Sequence, residues 1–275
     1  MHSAVASRRV TDLPATSTMR AAPLSSRCVN RFATEHQDMR MPGIDGVLFD
    51  YGRTLVTFDY PTDDLLKVLR QFRPRIESAL GVSAPEADAL LHEVLLPMES
   101  FVSSTSEDEV EYMDVYRESW HNAGMRLPDG LLYEILDAEQ GCWDRAVRVD
   151  PDAMPLLTWL GQGGIKRGIC SNAPFPPQMM RRQVESNGIA AEVDAIVFSS
   201  EVGRRKPAPE MYRAALDAIA SEPNRTLFVG DRLREDYEGP RALGMRAVVV
   251  MAHADETPPH DVATIQSLAE VRDLV

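Results

Sequence analysis

The sequence predicts an α/β fold: a parallel sheet covered by helices on both faces, with a helical domain inserted after the first strand. Three observations carry this. Short apolar runs alternate with helix-patterned segments from about residue 150 onward, the rhythm of βα units. Several of those runs, like the run at 46–49, lead straight into a polar or acidic residue. Between about 62 and 148 the patterning is helical only, too long for a loop and too regular for disorder.

"GVLFD" (46–50) is an apolar run ending in Asp50 and reads as a buried strand. "DDLLKVLRQFRPRIESAL" follows, with Leu65, Leu66, Leu69, Phe72, Ile76 and Leu80 near a 3.6-residue period. Pro74 is expected to kink or divide that helix. "APEADALLHEVLLPMESFV" opens with Pro85 and acids, a helix start. "EDEVEYMDVYRESWHNAG" ends in Gly124, a helix stop, and "PDGLLYEILDAEQGCW" is a further helix. Then helices over "DAMPLLTWLGQGG", "PPQMMRRQVESNG", "APEMYRAALDAIA" and "EDYEGPRALGM" precede strands at 166–171, 194–200, 226–231 and 246–251.

The 275 residues allow one large domain or two small ones, and 44% hydrophobic residues suffice for a core. A net charge of −13 argues against nucleic acid or an anionic membrane as a partner. Cys28, Cys142 and Cys170 are widely spaced, which suits a reducing, cytoplasmic setting better than disulfides or zinc. No apolar run approaches a membrane span. Residues 1–41, rich in Ser, Ala, Thr and Arg, read as a disordered or dispensable tail, with Met39 or Met41 as an alternative start. Arg8-Arg9 lacks the apolar stretch an export signal needs.

In an open parallel sheet, ligands bind at the carboxyl ends of the strands. The strands present Asp50, Ser171-Asn172, a loop carrying Lys206, and "GDRLRED" with Asp231 and Asp236. Each alone is unremarkable, as a turn residue, a first-turn acid or a solvated lysine. Together they place three carboxylates, a hydroxyl and an ammonium on one edge. Such carboxylates repel one another unless a cation joins them, and oxygen-only ligands favour Mg²⁺.

These residues resemble the four motifs of the haloacid dehalogenase-like hydrolase superfamily: "FDYGRTL", "GICSN", "RRKPAPEMY" and "FVGDRLREDYEGPRALGM". The resemblance covers about 44–251. It implies a Rossmann-like core at 42–58 and 150–275 and a helical cap at 59–149, of the type inserted between the first and second motifs. It further implies Mg²⁺-dependent hydrolysis of a small phosphorylated metabolite by a monomer or homodimer. Asp50 would be the nucleophile that becomes an aspartyl-phosphate. Ser171, with Asn172 and Arg53, would contact the phosphoryl group, and Lys206 would pair with it and with Asp50. Asp50, the Gly52 carbonyl, Asp231 and Asp236 would hold the metal.

The departure is at Gly52, where the family's phosphatases usually carry a second Asp that protonates the leaving oxygen and then activates water. That help is typically worth ~10²–10⁴-fold. Arg53 also replaces a common glycine, implying either an altered backbone or an added cation. Asp59 and Asp63 are substitute acids by proximity, though loop and helix-cap roles suit both. A substrate with a good leaving group, C–halogen or C–P cleavage, and a phosphate-binding regulatory role are the alternatives. Elsewhere, His92 and His121 lack metal-ligand spacing. Tyr112, Met113, Tyr116 and Trp120 read as packing of the helical domain and Cys170 as core. His253 and His260 fall in a polar segment after the last strand, where a surface position is the default.

Overall fold

A computed structural model describes residues 43–103, 106–254 and 257–275. The expectations for the tail at 1–41 and for Cys28 lie outside those residues. The first strand, β1 (Gly46–Phe49), alternates its side chains between faces: Val47 and Phe49 enter one buried cluster and Leu48 another. A two-residue strand, β2 (Val56–Thr57), follows.

The insertion then begins with α1 (Thr62–Leu80), which runs unbroken through Pro74. The expected division is absent, so packing of Leu69, Phe72 and Ile76 outweighs the lost backbone bond. Next come α2 (Ala87–Leu90), a π-turn (Leu91–Leu95) and α3 (Leu96–Val102). α4 spans only Tyr112–Asn122, so the acidic start of the expected helix is not helical. There Asp108 bridges Arg204, and Glu109 turns toward Arg205. α5 (Asp129–Ala146) completes the block, which buries its own core around Tyr116, Trp120 and Ile135.

The chain returns through β3 (Arg148–Val149), which pairs antiparallel with β2. This small ribbon, which the sequence reading lacked, ties together the two crossings into the insertion. Then follow α6 (Ala153–Gln162), β4 (Lys166–Ser171), α7 (Pro177–Ser186), β5 (Ala195–Phe198), α8 (Ser199–Val202), α9 (Pro209–Ile219) and β6 (Thr226–Gly230). A π-turn (Leu233–Glu238), α10 (Gly239–Ala242), β7 (Arg246–Val250), β8 (Thr264–Ile265) and a 3-10 helix (Leu268–Asp273) follow. β8 pairs with β7, so 246–251 is not the last strand.

All six sheet strands run parallel in the order β5-β4-β1-β6-β7-β8. One face packs against α6 and α7 through residues such as Leu156 and Val184, the other against α9 through Tyr212 and Leu216. The sheet therefore sits buried between two helical layers. β1 lies between β4 and β6, so the residues ending these three strands are neighbours. Among the described residues, no helix is long and apolar enough to cross a membrane.

Candidate active site

Asp50 is the first residue past β1, and its backbone N–H donates to the Val229 carbonyl of β6 at 2.9 Å. Ser171 is the last residue of β4, and Asp231 follows β6 directly. Asp236 reaches back from the π-turn over Gly230, where a β-carbon would stand 2.3 Å from the Asp236 carboxyl carbon. Only a residue without a side chain leaves that approach open.

The buried Lys206 Nζ donates to Asp50 Oδ1 at 2.6 Å and to Asp236 Oδ1 at 2.7 Å. Burial works against its charge, but Asp236 and Asp50 outweigh burial and hold its pKa well above the ordinary lysine value. The Asn172 side chain clamps the Lys206 backbone, its Nδ2 donating to the carbonyl at 3.1 Å and its Oδ1 accepting from the N–H at 2.7 Å. It thereby holds the backbone from which the lysine side chain reaches the two carboxylates.

Asp50, Asp231 and Asp236 each offer an oxygen, all within 4.8 Å of one another. Burial and the charges of Asp50 and Asp236 push Asp231 up to about 8. Burial pushes Asp236 up to about 6, with Lys206 opposing it. The Lys206 ammonium and the neighbouring Arg232 guanidinium, against three carboxylates, still leave the cluster short of positive charge when all are ionised. An all-oxygen, charge-deficient set fits a hard divalent cation.

A cavity of about 290 Å³ opens beside this cluster. Asp50, Gly52, Arg53, Ser171, Asn172, Lys206 and Asp236 line it, and Asp231 belongs to the carboxylate cluster behind them. Asp59 and Asp63 are exposed and outside its walls, so the structure does not bring the two suggested acids to the site. Arg53 has φ +61°, so the left-handed backbone that suits glycine is kept with an arginine in place. Tyr51 Oη accepts from Asn187 Nδ2 at 2.7 Å and is spoken for structurally.

Sequence reasoning missed Arg232, whose pKa is raised by Asp50 and Asp231 against the effect of burial. Its place beside Asp231 was the available signal. It also missed Phe58, Glu99, Trp143 and Phe175, which line the cavity but carry no pattern in the chain. His253 Nε2 lies 3.1 Å from Asp150 Oδ2. Tyr112, Tyr116, Trp120 and Cys170 are core residues, and Met113 packs against that core.

The fold and the site define an α/β protein with a carboxylate–lysine cluster at its strand ends, covered by inserted helices. Residues 44–244 match the haloacid dehalogenase-like hydrolase family, and the chain belongs to it. It is similar to a phosphoglycolate phosphatase of Rhodospirillum rubrum, 35% identical over 125 residues, 46% of this chain and 49% of that one. That match spans about half the relative's length. A glyceraldehyde 3-phosphate phosphatase of Methanopyrus kandleri is 25% identical over 79% of this chain and 89% of its own. Among solved structures, a 2-haloacid dehalogenase of Pseudomonas syringae superposes with a TM-score of 0.59 at 19% identity, covering 84% of this chain and 97% of that one. A phosphatase of the family from Thermococcus onnurineus gives 0.55 at 22% identity, with the same 84% and 97% coverage. These two likenesses show the fold alone.

Proposed function

We propose that the protein is a Mg²⁺-dependent phosphatase of small phosphomonoesters that works through an aspartyl-phosphate on Asp50. The observation that supports this most is the Lys206 ammonium shared between Asp50 and Asp236 on the wall of a cavity. The named relatives, phosphatases of small phosphorylated molecules, point the same way. In this reading the core comprises 42–58 and 150–275, and the helical block 59–149 is a cap that selects the substrate.

Asp50, Asp231, Asp236 and the Gly52 carbonyl would hold Mg²⁺. When bound, the ion offsets the charge of the phosphoryl group and the carboxylates. An Asp50 carboxylate oxygen attacks phosphorus, and the bond to the leaving oxygen breaks. Lys206 and the Ser171 hydroxyl steady the phosphoryl oxygens, with Arg53 adding positive charge. Asn172 holds the Lys206 backbone in place. Water then attacks phosphorus, the bond to Asp50 breaks, and phosphate leaves. No carboxyl at residue 52 assists either proton transfer, so esters with good leaving groups should react best.

The test is turnover of a phosphometabolite panel with and without Mg²⁺, beside an Asp50→Asn control. Mass spectrometry of acid-quenched protein checks for one phosphoryl group on Asp50. Turnover that survives Asp50→Asn would overturn the assignment.

A further inference from the structure

We propose that the cap side of the cavity is a subsite for a cation, an ammonium group carried on the alcohol of the phosphomonoester and held by Glu99 against the rings of Phe58 and Trp143. This rests on the reading of the Asp50 edge as the phosphoryl site. The cavity has two unlike walls. Its basic side chains, Arg53, Arg205, Lys206 and Arg232, all come from loops at the sheet edge. From the inserted block it receives one charged group, Glu99, beside the neutral polar Ser103 and Gln140 and the apolar Val102, Trp143 and Val147.

Glu99 accepts a hydrogen bond from Tyr60 Oη at 3.0 Å. The groups facing it are Tyr60 before α1, Tyr112 on α4 and Glu139 on α5, and Tyr116 donates to both Glu139 carboxylate oxygens at 3.1 Å. Arg205 is committed elsewhere: its Nη1 donates to the Val102 carbonyl at 2.7 Å and to Glu109 Oε1 at 3.2 Å. Burial lifts Glu99 to about 7 despite the Tyr60 bond. A second carboxylate or phosphate on the substrate would meet this carboxyl with like charge, and a purely alkyl group would desolvate it without compensation.

The aromatic rings supply the other half of the argument. Phe58, on the cavity wall, is 40% exposed, and Tyr60, which is not part of that wall, is 36% exposed. Both stand edge-on to Trp143, with centroids 5.8 and 5.2 Å away. Aromatic surface next to a carboxyl is the combination that recognises alkylammonium groups, attracting the charge and burying its carbon. Ionised Glu99 is the binding form, so affinity for a cationic ester should fall as pH drops below about 7.

The experiment compares phosphocholine with its uncharged carbon isostere, 3,3-dimethylbutyl phosphate, and uses p-nitrophenyl phosphate to report turnover as such. The expected ratio of kcat/KM, phosphocholine over isostere, is roughly tenfold, the scale of one partly desolvated cation contact. The ratio should fall in Glu99→Gln and, separately, in Trp143→Leu, and in the wild type as pH is lowered from 8 to about 6, toward the value that the difference in leaving-group pKa alone sets. Calorimetry of both esters on Asp50→Asn with Mg²⁺ gives the same comparison without turnover. Absence of p-nitrophenyl phosphate hydrolysis would count against the phosphatase reading, while the calorimetric ratio still decides the subsite. A ratio at or below one, or one unchanged in Glu99→Gln, overturns the subsite. So does an equal loss of kcat for both esters in Glu99→Gln, which would mark Glu99 as a proton donor.

Discussion

A β-carbon on Gly52 would stand 3.4 Å from Cε1 of the Phe58 ring, an ordinary van der Waals contact. The space an acid at residue 52 would enter is therefore bounded by an aromatic ring, but the backbone there accepts a side chain. Gly52→Asp should fold, with a melting temperature within a few degrees of wild type. In single-turnover kinetics over aryl phosphates of graded leaving-group pKa, wild type should show a steep dependence and Gly52→Asp a shallow one. Equal slopes would mean that another group already donates the proton.

The crowded carboxylates should make stability sensitive to metal and pH. Asp231 is raised to about 8, so the folded state takes up a proton that the unfolded chain has released. Its penalty is absent below about pH 4 and grows as pH rises toward 8. Without metal, Asp231→Asn should be more stable than wild type at pH 8 by about 1–3 kcal/mol, with the gap shrinking as pH falls and closing near pH 4. Adding Mg²⁺ should raise the wild-type melting temperature and leave Asp231→Asn nearly unmoved. Thermal melts with and without EDTA measure both.

Glu139, on α5, offers the same sign outside the carboxylate cluster. Burial raises it to about 8, with Tyr116 donating to it. It is neutral when folded and ionised when unfolded between about pH 4.5 and 8, so it costs stability progressively across that window. Glu139→Gln keeps an acceptor for Tyr116 and has no charge to bury. It should melt higher than wild type at pH 8, and the advantage should shrink at pH 5. An advantage independent of pH would refute the role given to burial.

Arg53 occupies a left-handed backbone conformation, φ +61°. A residue with a β-carbon is strained there by roughly 1–2 kcal/mol, partly offset by the greater freedom glycine loses on folding. Arg53→Gly should thus gain up to about 1 kcal/mol in denaturant unfolding. Arg53→Ala, which keeps the strain, should gain nothing.

The sheet and its site edge were legible because their signals are local. An apolar run such as Gly46–Phe49 must be buried on both faces, and Asp50 or Asp231 must then emerge at a carboxyl end. Lys206 and Asp236 were found for the same reason, each sitting at a short fixed distance from a strand or helix boundary. Helix limits were less legible. Pro74 did not break α1, because tertiary packing of Phe72 and Ile76 overrides a local penalty. Residues 107–111 left the helix register because Arg204 and Arg205, nearly a hundred positions away, draw their acids.

By itself, then, the sequence determined the α/β alternation, the place of the insertion and the carboxylates, hydroxyl and lysine at the strand ends. Each follows from periodicity or from adjacency to a strand. Only the tertiary structure decided that one ammonium is shared by Asp50 and Asp236, that Asn172 holds the lysine's backbone, and that Asp59 and Asp63 face solvent. It alone brought Phe58, Glu99 and Trp143 to one cavity wall. Those residues come from a loop and two different helices, and their meeting depends on how the helices pack, which no spacing along the chain encodes.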